Sequence, residues 1–556
     1  MGNEIIDTAL IEYKLWLEKT KDDPYMQKEL SRLETSGEEL LDCFGGELSF
    51  GTSGIRGIIG PGPRRISKYV VARATQGLAL YLRKRIQDSP ESFKGRVVIA
   101  CDSRRFSTQF ARETAEVLSG NGIKAFLFPE ITPVPLLSYS IEALDCDYGI
   151  MITASHNASI FNGYKVYNRD GYQVVGEETK GIYNEISALG YFDGINRSQD
   201  NIVLVEDDVP KSFINKINEL TDSYNKDEDK SDIKIIYTPL NGAGRNYVKE
   251  ALKHAGFENV IPVPAQDVYD ENFTTCKTPN PEKLSAYNEA FKVMDMEGGD
   301  IIIASDPDSD RVGVALVHDE TKINLTGNQI GLLMLDYLTS VKTPRDGQVV
   351  YRSIVSTPLF DRVAEANGLN VNLTMTGFKF IGEGISNMIK EGKGDDYYFG
   401  FEESNGFLIS PFIRDKDAIS SAVIIALMAN SLKKKGKDLI DRLEEIYSNY
   451  GTLIDRAKSF TFDGYTGLET MNSIMEYFRN EVEDHIGDLY IEDKTDYLND
   501  DTGMIKSNII KFEMDDGSTA LIRPSGTEPK IKVYMFLTDP TSNIDKAITD
   551  IMEGYK

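Results

Sequence analysis

The chain repeats one local grammar: a short apolar run, a polar loop usually carrying glycine, then a stretch with helical spacing. "RVVIACDSRRFS" (96–107) leads into the amphipathic "TQFARETAEVLSGNG", and "YGIMITASHN" (148–157) follows the same strand-then-loop order. The unit returns in "IKIIYTPLNGAG" (233–244), "DIIIASDPDSDR" (300–311) and "YYFGFEESNG" (397–406). Strands alternating with helices in this way predict an α/β fold with largely parallel sheets. Ligands of such sheets bind where loops leave the carboxyl ends of the strands, so these five loops are the candidate site loops.

Both ends of the chain depart from the pattern. The first 45 residues read as helical, with Leu10, Tyr13, Leu17, Leu30 and Leu33 at helix-like spacing, and form a packing appendage. "TALIRPSGTEPKIKVYMF" (519–536) is strand, loop, strand with no helix between, which predicts a smaller α+β domain. At 556 residues the chain exceeds one hydrophobic core. Acidic stretches such as "SYNKDEDKSD" (223–232) and "DRLEEIYSNYG" (441–451) read as joints. The expected division is a helical extension at 1–45 and domains at 46–210, 211–325, 326–450 and 451–556.

Charge and cysteine usage narrow the function classes. A formal net charge of -27 repels phosphate backbones and anionic membrane surfaces at long range, so neither nucleic acid nor lipid is the expected partner. Any anionic substrate must be held by local cations. The longest apolar run, around Ala422 to Ala429, is far too short to span a bilayer, and no basic-then-apolar leader opens the sequence. The expectation is a cytoplasmic protein. Cys43, Cys101, Cys146 and Cys276 lie far apart with no CxxC pair, which indicates free thiols and neither a zinc site nor a disulfide framework.

"DPDSDR" (306–311) carries the strongest single signal. Asp306, Asp308 and Asp310 place three carboxylates within five residues, a repulsive arrangement unless a hard cation such as Mg²⁺ sits among them. The apolar "IIIA" before it delivers the loop to a sheet edge, unlike an arbitrary acidic surface turn. An EF-hand also begins DxDxD, but it needs Gly and Glu where this chain has Arg311 and Val317. A phosphatase with an aspartyl nucleophile presents DxDx[TV] after a strand; "DSDRV" matches two residues late and stays as a rival.

In "TASHNASIFNGYK" (153–165) the dipeptide Ser155-His156 lacks the triad geometry and the G-x-S-x-G elbow of a hydrolase. The alternative is a phosphoryl group on Ser155, coordinated by the Asp-bound metal, with His156 and Lys165 neutralising charge or moving protons. "FGTSGIRG" (50–57) joins small turn-forming residues to Arg56, so backbone amides and one guanidinium can reach a phosphate. "TGFKFIGEG" (376–384) sets Lys379 between aromatics, where a surface lysine with a buried stem is the plainer reading. In "FGFEESNG" Glu402 and Ser404 offer hydrogen-bond acceptors for sugar hydroxyls, against an equally simple solvated acidic turn. "RPSGTEPKIK" (523–532) brings Arg523, Ser525, Thr527 and the backbone near Gly526 around a loop suited to a phosphate dianion. No GxxxxGK[ST] occurs, and "GPGPRR" lacks the third glycine of a dinucleotide fingerprint.

Taken together, these loops resemble those of the α-D-phosphohexomutase family, the phosphoglucomutases and phosphomannomutases, from about residue 46 to the C-terminus. The resemblance implies four domains around a central cleft: three related α/β domains with mixed sheets and a smaller α+β C-terminal domain. It implies Ser155 as phosphoserine and Asp306, Asp308 and Asp310 as Mg²⁺ ligands, with the Ser155 phosphate completing the metal site. Glu402 and Ser404, with Lys379, would recognise the sugar, and Arg523, Ser525, Gly526 and Thr527 the substrate phosphate. Arg56, His156, Lys165 and Arg311 would be cleft residues, with Lys165 a candidate general base or acid. Glucose 1,6-bisphosphate would be intermediate and activator, and the enzyme a monomer or homodimer acting on small sugar phosphates.

Two positions depart from the family pattern. Ala158 stands where proline is common, and the sugar loop lacks the histidine of many phosphomannomutases. With "EES" in its place, glucose phosphates are expected over mannose phosphates. The helical extension and "TPLNGAG" are similar to a longer branch that includes phosphopentomutases and glucose-1,6-bisphosphate synthases, which keeps pentose phosphates as an alternative. A non-catalytic sugar-phosphate-binding protein is the reading from another class.

Overall fold

The computed structural model describes residues 2–33, 37–48, 54–227, 229–230, 232–462, 467–525 and 530–555. The chain divides into two compact units. The first takes residues 1–325, 382–395 and 406–431, and the second 326–381, 396–405 and 432–556.

The first unit holds two mixed sheets. One runs in the order β1 (Gly54–Ile58), β5 (Phe161–Asn168), β4 (Tyr148–Ile152), β2 (Arg96–Cys101), β3 (Lys124–Leu127), β6 (Ile202–Leu204). The pairs β2–β4, β2–β3 and β3–β6 are parallel, whereas β5 is antiparallel to both β1 and β4. Sequence alone suggests largely parallel pairing. The turn Ala154–Ile160 is too short for a helical crossover, so β5 must fold straight back on β4 and make that edge antiparallel. β4 is buried at every position and flanked by strands on both sides, as its unbroken run of apolar residues requires.

Three helices, Gly2–Lys19, Pro24–Leu33 and Gly37–Phe44, form the N-terminal extension. They share a core with the first sheet and its helices. Trp16 anchors them: it is fully buried with its ring 5.2–6.0 Å from those of Phe44, Tyr69, Tyr191 and Phe192. Truncating such a residue to Ala costs about 3–5 kcal/mol.

The second sheet of this unit has the order β11 (Thr321–Asn324), β10 (Val312–His318), β9 (Ile301–Ser305), β7 (Ile235–Thr238), β8 (Val260–Pro262). β7 pairs parallel with β8 and β9, and β10 pairs antiparallel with β9 and β11. The strand "IIIAS" is buried along its whole length and ends directly at the triple-aspartate loop.

In the second unit, β12 (Val349–Ser353) pairs parallel with β13 (Asn370–Thr374) and β14 (Tyr397–Glu402). The helix Gly327–Val341 begins with a capping box, the Thr326 side chain accepting from Gln329 N and the Gln329 side chain from Thr326 N. The C-terminal segment forms an antiparallel sheet around Thr519–Pro524 and Lys530–Leu537, flanked by Ile510–Met514 and Ile454–Thr461. The helices Gly467–Asn480 and Ile544–Gly554 share its core, giving the α+β arrangement expected for this end of the chain.

Candidate active site

Ser155 sits in the turn after β4, only 2 % exposed, with φ 52° in the left-handed region that a non-glycine residue enters at a cost of about 1–3 kcal/mol. Its Oγ donates to Asp306 Oδ2 at 2.9 Å and lies 3.2 Å from His156 Nδ1. Its backbone N–H donates to Thr153 Oγ1 at 2.8 Å. The serine of the first sheet and the first aspartate of the second sheet's loop are thus in direct contact.

The triple-aspartate loop begins where β9 ends. Ser309 also takes a left-handed φ of 57°, and Asp306 Oδ1 accepts the backbone N–H groups of Asp310 and Arg311 at 3.1 and 3.0 Å. These bonds curl the loop so that the three carboxylates each place an oxygen within 4.8 Å of the others. All three side chains are buried. The neighbouring "TPLNGAG" loop packs hard against Pro307 and Ser309 between them. A Cβ on Gly242 would stand 2.4 Å from Pro307 Cα, one on Gly244 2.5 Å from Ser309 Oγ, and Ala243 N donates to Pro307 O at 2.8 Å.

The electrostatics of the loop are those of a cation site. Burial, and then the charges of Asp308 and Asp310, push the Asp306 carboxyl well above the usual range. Asp310 is driven below it: burial opposes ionisation, but Lys416, Lys165 and Arg311 outweigh it. Asp308 Oδ1 and Asp310 Oδ1 are buried without a hydrogen-bond partner. Orphaned carboxylate oxygens converging from one loop are what an oxygen-seeking divalent ion satisfies, so these residues fit a hard cation such as Mg²⁺.

Two lysines flank the carboxylates. Lys165, on β5, donates to Asp308 Oδ2 at 2.9 Å and lies 3.5 Å from Asp310 Oδ2. Burial disfavours its charge, yet Asp308 and Asp310 overcome that and hold its pKa above the ordinary lysine value. Lys416 Nζ lies 3.5 Å from Asp310 Oδ2 and 3.0 Å from Asp415 Oδ1. Arg311 pairs with Glu282 at 2.6 Å. Arg56 stands exposed on β1, facing Gly163 across from β5 in the ladder.

The structure therefore brings together Ser155, His156, Lys165, Asp306, Asp308, Asp310 and Arg311 in the first unit. Sequence reasoning missed Lys416, Thr153, Asp102 and Arg104. Lys416 was legible only as one charge in "RDKDA", between two apolar stretches. Thr153 Oγ1 is 2.6 Å from Asp102 Oδ2 and 3.1 Å from Asp308 Oδ2, a contact that no spacing in the chain announces.

The remaining candidates fall in the second unit. Glu402, at the end of β14, is buried, and its Oε1 accepts from Gly377 N at 2.7 Å. Glu403 Oε2 instead accepts from Ser353 Oγ at 3.2 Å, which leaves partly exposed Ser404 at the tip of the turn. Lys379 is buried, 5.3 Å above the Phe380 ring, and is no snorkelling surface lysine. Arg523 and Ser525 are half-buried, and Ser525 N donates to Lys530 O at 2.7 Å. Gly526 and Thr527 lie outside the described residues.

Comparison with known proteins identifies the family. Three family models match: phosphoglucomutase/phosphomannomutase alpha/beta/alpha domain I over residues 47–191, domain II over 211–319 and domain III over 326–450. The chain belongs to the phosphoglucomutase/phosphomannomutase family, the α-D-phosphohexomutases, and is an enzyme of that class. It is 35% identical over 534 residues to a phosphoglucomutase of Staphylococcus epidermidis, covering 93% of this chain and 95% of that protein. A phosphoglucomutase of Staphylococcus aureus is 35% identical over 557 residues, with 96% of each chain covered. Among solved structures, a putative phosphomannomutase from Thermus thermophilus superposes with a TM-score of 0.69 at 20% identity, covering 92% of this chain and 100% of that one. The Paramecium phosphoglucomutase parafusin gives 0.65 at 19% identity, covering 92% and 95%. The last two speak to the fold.

Proposed function

We propose that this enzyme is a phosphoglucomutase that interconverts α-D-glucose 1-phosphate and glucose 6-phosphate through a phosphorylated Ser155 and glucose 1,6-bisphosphate. The observation that carries the reading is Ser155 Oγ at 2.9 Å from Asp306 Oδ2, at the mouth of a buried three-carboxylate loop. No hydrolase triad is needed for a serine that acts as phosphoryl carrier.

In the forward step the bond between phosphorus and Ser155 Oγ breaks as the free hydroxyl of the bound sugar phosphate bonds to that phosphorus, and the proton that hydroxyl loses is balanced by the one Ser155 Oγ gains. His156 Nδ1, 3.2 Å from Ser155 Oγ, is placed to hold or hand over the proton at that oxygen. Lys165 Nζ, beside Asp308 and Asp310, supplies positive charge next to the transferring group. The bisphosphate then turns, and its other phosphate returns to Ser155. A divalent cation, Mg²⁺ by the hardness of its ligands, would be held by Asp306, Asp308, Asp310 and a Ser155 phosphate oxygen, and would neutralise charge building up in transfer.

Glu402 and Ser404 are the proposed sugar contacts, with Lys379 beside them, and Arg523, Ser525, Gly526 and Thr527 the proposed phosphate clamp. Arg56 and Arg311 complete the cationic surround that a chain of net charge -27 needs to hold an anion. The "EES" sequence of the sugar loop favours glucose over mannose phosphates. We place the activity in the cytoplasm, in a monomer or homodimer.

The test is a coupled assay for glucose 6-phosphate made from glucose 1-phosphate, with Mg²⁺ and a trace of glucose 1,6-bisphosphate, alongside mannose and ribose 1-phosphates. Glucose turnover that stops with chelator is the expected result. Activity confined to ribose 1-phosphate would move the assignment to pentose phosphates, and silence on all three would overturn it.

A further inference from the structure

Beneath the Ser155 turn lies a charged group that the reaction as derived does not use. Arg104 is completely buried, in the loop that leaves β2. Its guanidinium gathers carbonyl oxygens from one short stretch of chain. One terminal nitrogen donates to Ala158 O at 2.9 Å and Phe161 O at 3.3 Å. The other donates to Asn157 O at 2.6 Å and to Ser155 O. The planar head lies 4.9 Å over the Phe273 ring, and Asp102 Oδ2 stands 3.1 Å from Nε.

A buried cation with four carbonyl partners inside seven residues is not a general stability device. Buried arginines are costly unless every donor has a use, and here most of the donors are spent on the turn that carries the reactive serine. The same acid that balances Arg104 also grips the other side of the turn. Asp102 Oδ2 accepts from Thr153 Oγ1 at 2.6 Å, and that hydroxyl accepts the Ser155 N–H at 2.8 Å. The peptide groups on both sides of Ser155 are thus fixed from one ion pair, which accounts for a serine persisting at φ 52°.

We propose that Arg104 is the positioning residue of the phosphoryl carrier: by collecting the carbonyls of residues 155–161 it sets where Ser155 Oγ stands relative to Asp306. The proposal rests on the phosphoserine reading above. A lysine offers one compact ammonium and cannot bridge four carbonyls splayed across a plane, so Arg104→Lys keeps the charge and loses the geometry. A displacement of about 1 Å of a reacting atom costs on the order of 100-fold in rate.

The experiment uses the full chain with Arg104→Lys and Arg104→Ala. It reads the rate at which glucose 1,6-bisphosphate phosphorylates Ser155, by peptide mass spectrometry, together with kcat, KM and thermal melting. Arg104→Lys is expected to stay folded and to lose about 100-fold in both phosphorylation rate and kcat, with KM for glucose 1-phosphate within about threefold of the parent. Guanidinium at tens of millimolar is expected to restore at least about tenfold to Arg104→Ala, because it can re-enter the cavity over Phe273. A folded Arg104→Lys with parental rates overturns the proposal, as does activity lost only in step with the folded fraction, or an Arg104→Lys that does not fold. If the parent enzyme never acquires phosphate on Ser155, the phosphoserine reading itself fails, a result distinct from all of these.

Discussion

Ser155 Oγ donates a 2.9 Å hydrogen bond to Asp306 Oδ2 across 151 residues of sequence. The serine lies in the turn after a strand of one mixed sheet and the aspartate directly follows a strand of another, so the contact exists only because both strands deliver their loops to the same place. Much of the chemistry assigned to the enzyme depends on it.

Ser155→Ala should abolish turnover, by more than about 10⁴-fold, since the phosphoryl group would have no carrier. The fold should survive, because the lost Oγ bond is worth only about 1 kcal/mol. A coupled assay beside a melting curve checks both. Measurable turnover above that floor would remove the serine from the mechanism.

Adding Mg²⁺ to chelated protein should raise its melting temperature. Ligand at a hundred times its dissociation constant contributes about 2.7 kcal/mol to the folded state. Asp308→Asn should shrink the shift, because Asp308 Oδ1 is one of the buried oxygens without a partner. An undiminished shift in that variant would place the cation elsewhere.

Lys416→Met removes the cation held between Asp310 and Asp415. Breaking a buried ion pair from one side costs about 3–5 kcal/mol, so urea midpoints should fall. We also expect kcat to drop about 100-fold after correction for the folded fraction, since Lys416 supplies charge to Asp310, as Lys165 does. A loss of stability with kcat intact would make its role structural.

Gly242→Ala should loosen the cation site without touching a ligand. Its Cβ would fall 2.4 Å from Pro307 Cα, and backbone cannot yield as a side-chain tip does. The half-saturating Mg²⁺ concentration should rise about tenfold, the cost of a shift worth about 1.4 kcal/mol. Metal titration followed by melting temperature gives the number directly.

Glu178 predicts a pH effect remote from the site. Burial raises its pKa, only partly offset by the 2.6 Å bond from Tyr148 Oη and by Arg85. The folded state therefore holds the proton after the unfolded chain has lost it near pH 4.3, so stability falls as pH rises through the folded value. Glu178→Gln keeps the acceptor and cannot ionise. It should match the parent near pH 4 and exceed it at pH 8, as chemical denaturation at the two pH values would show.

The sequence by itself determined the grammar of the fold and which loops are the candidates for the site. Unbroken apolar runs such as "IIIAS" are best satisfied by strands covered on both faces, and three aspartates in five residues repel one another unless positive charge is brought among them. Those are local properties, and they survive folding unchanged. What the tertiary structure decided is whatever depends on two distant segments meeting. β5 turned the sheet edge antiparallel because the turn before it is too short to cross over. Lys416 joined Lys165 at Asp310, and Lys379, which the sequence presents as a surface lysine, is buried. Arg104, one of two adjacent arginines in "DSRRF", became the group beneath the Ser155 turn while Arg105 instead bonds Tyr25 Oη at 2.9 Å. Nothing in the spacing of charges separates those two arginines. Burial does, because a guanidinium taken out of water must spend its donors on the nearest carbonyls, and only the folded chain determines which those are.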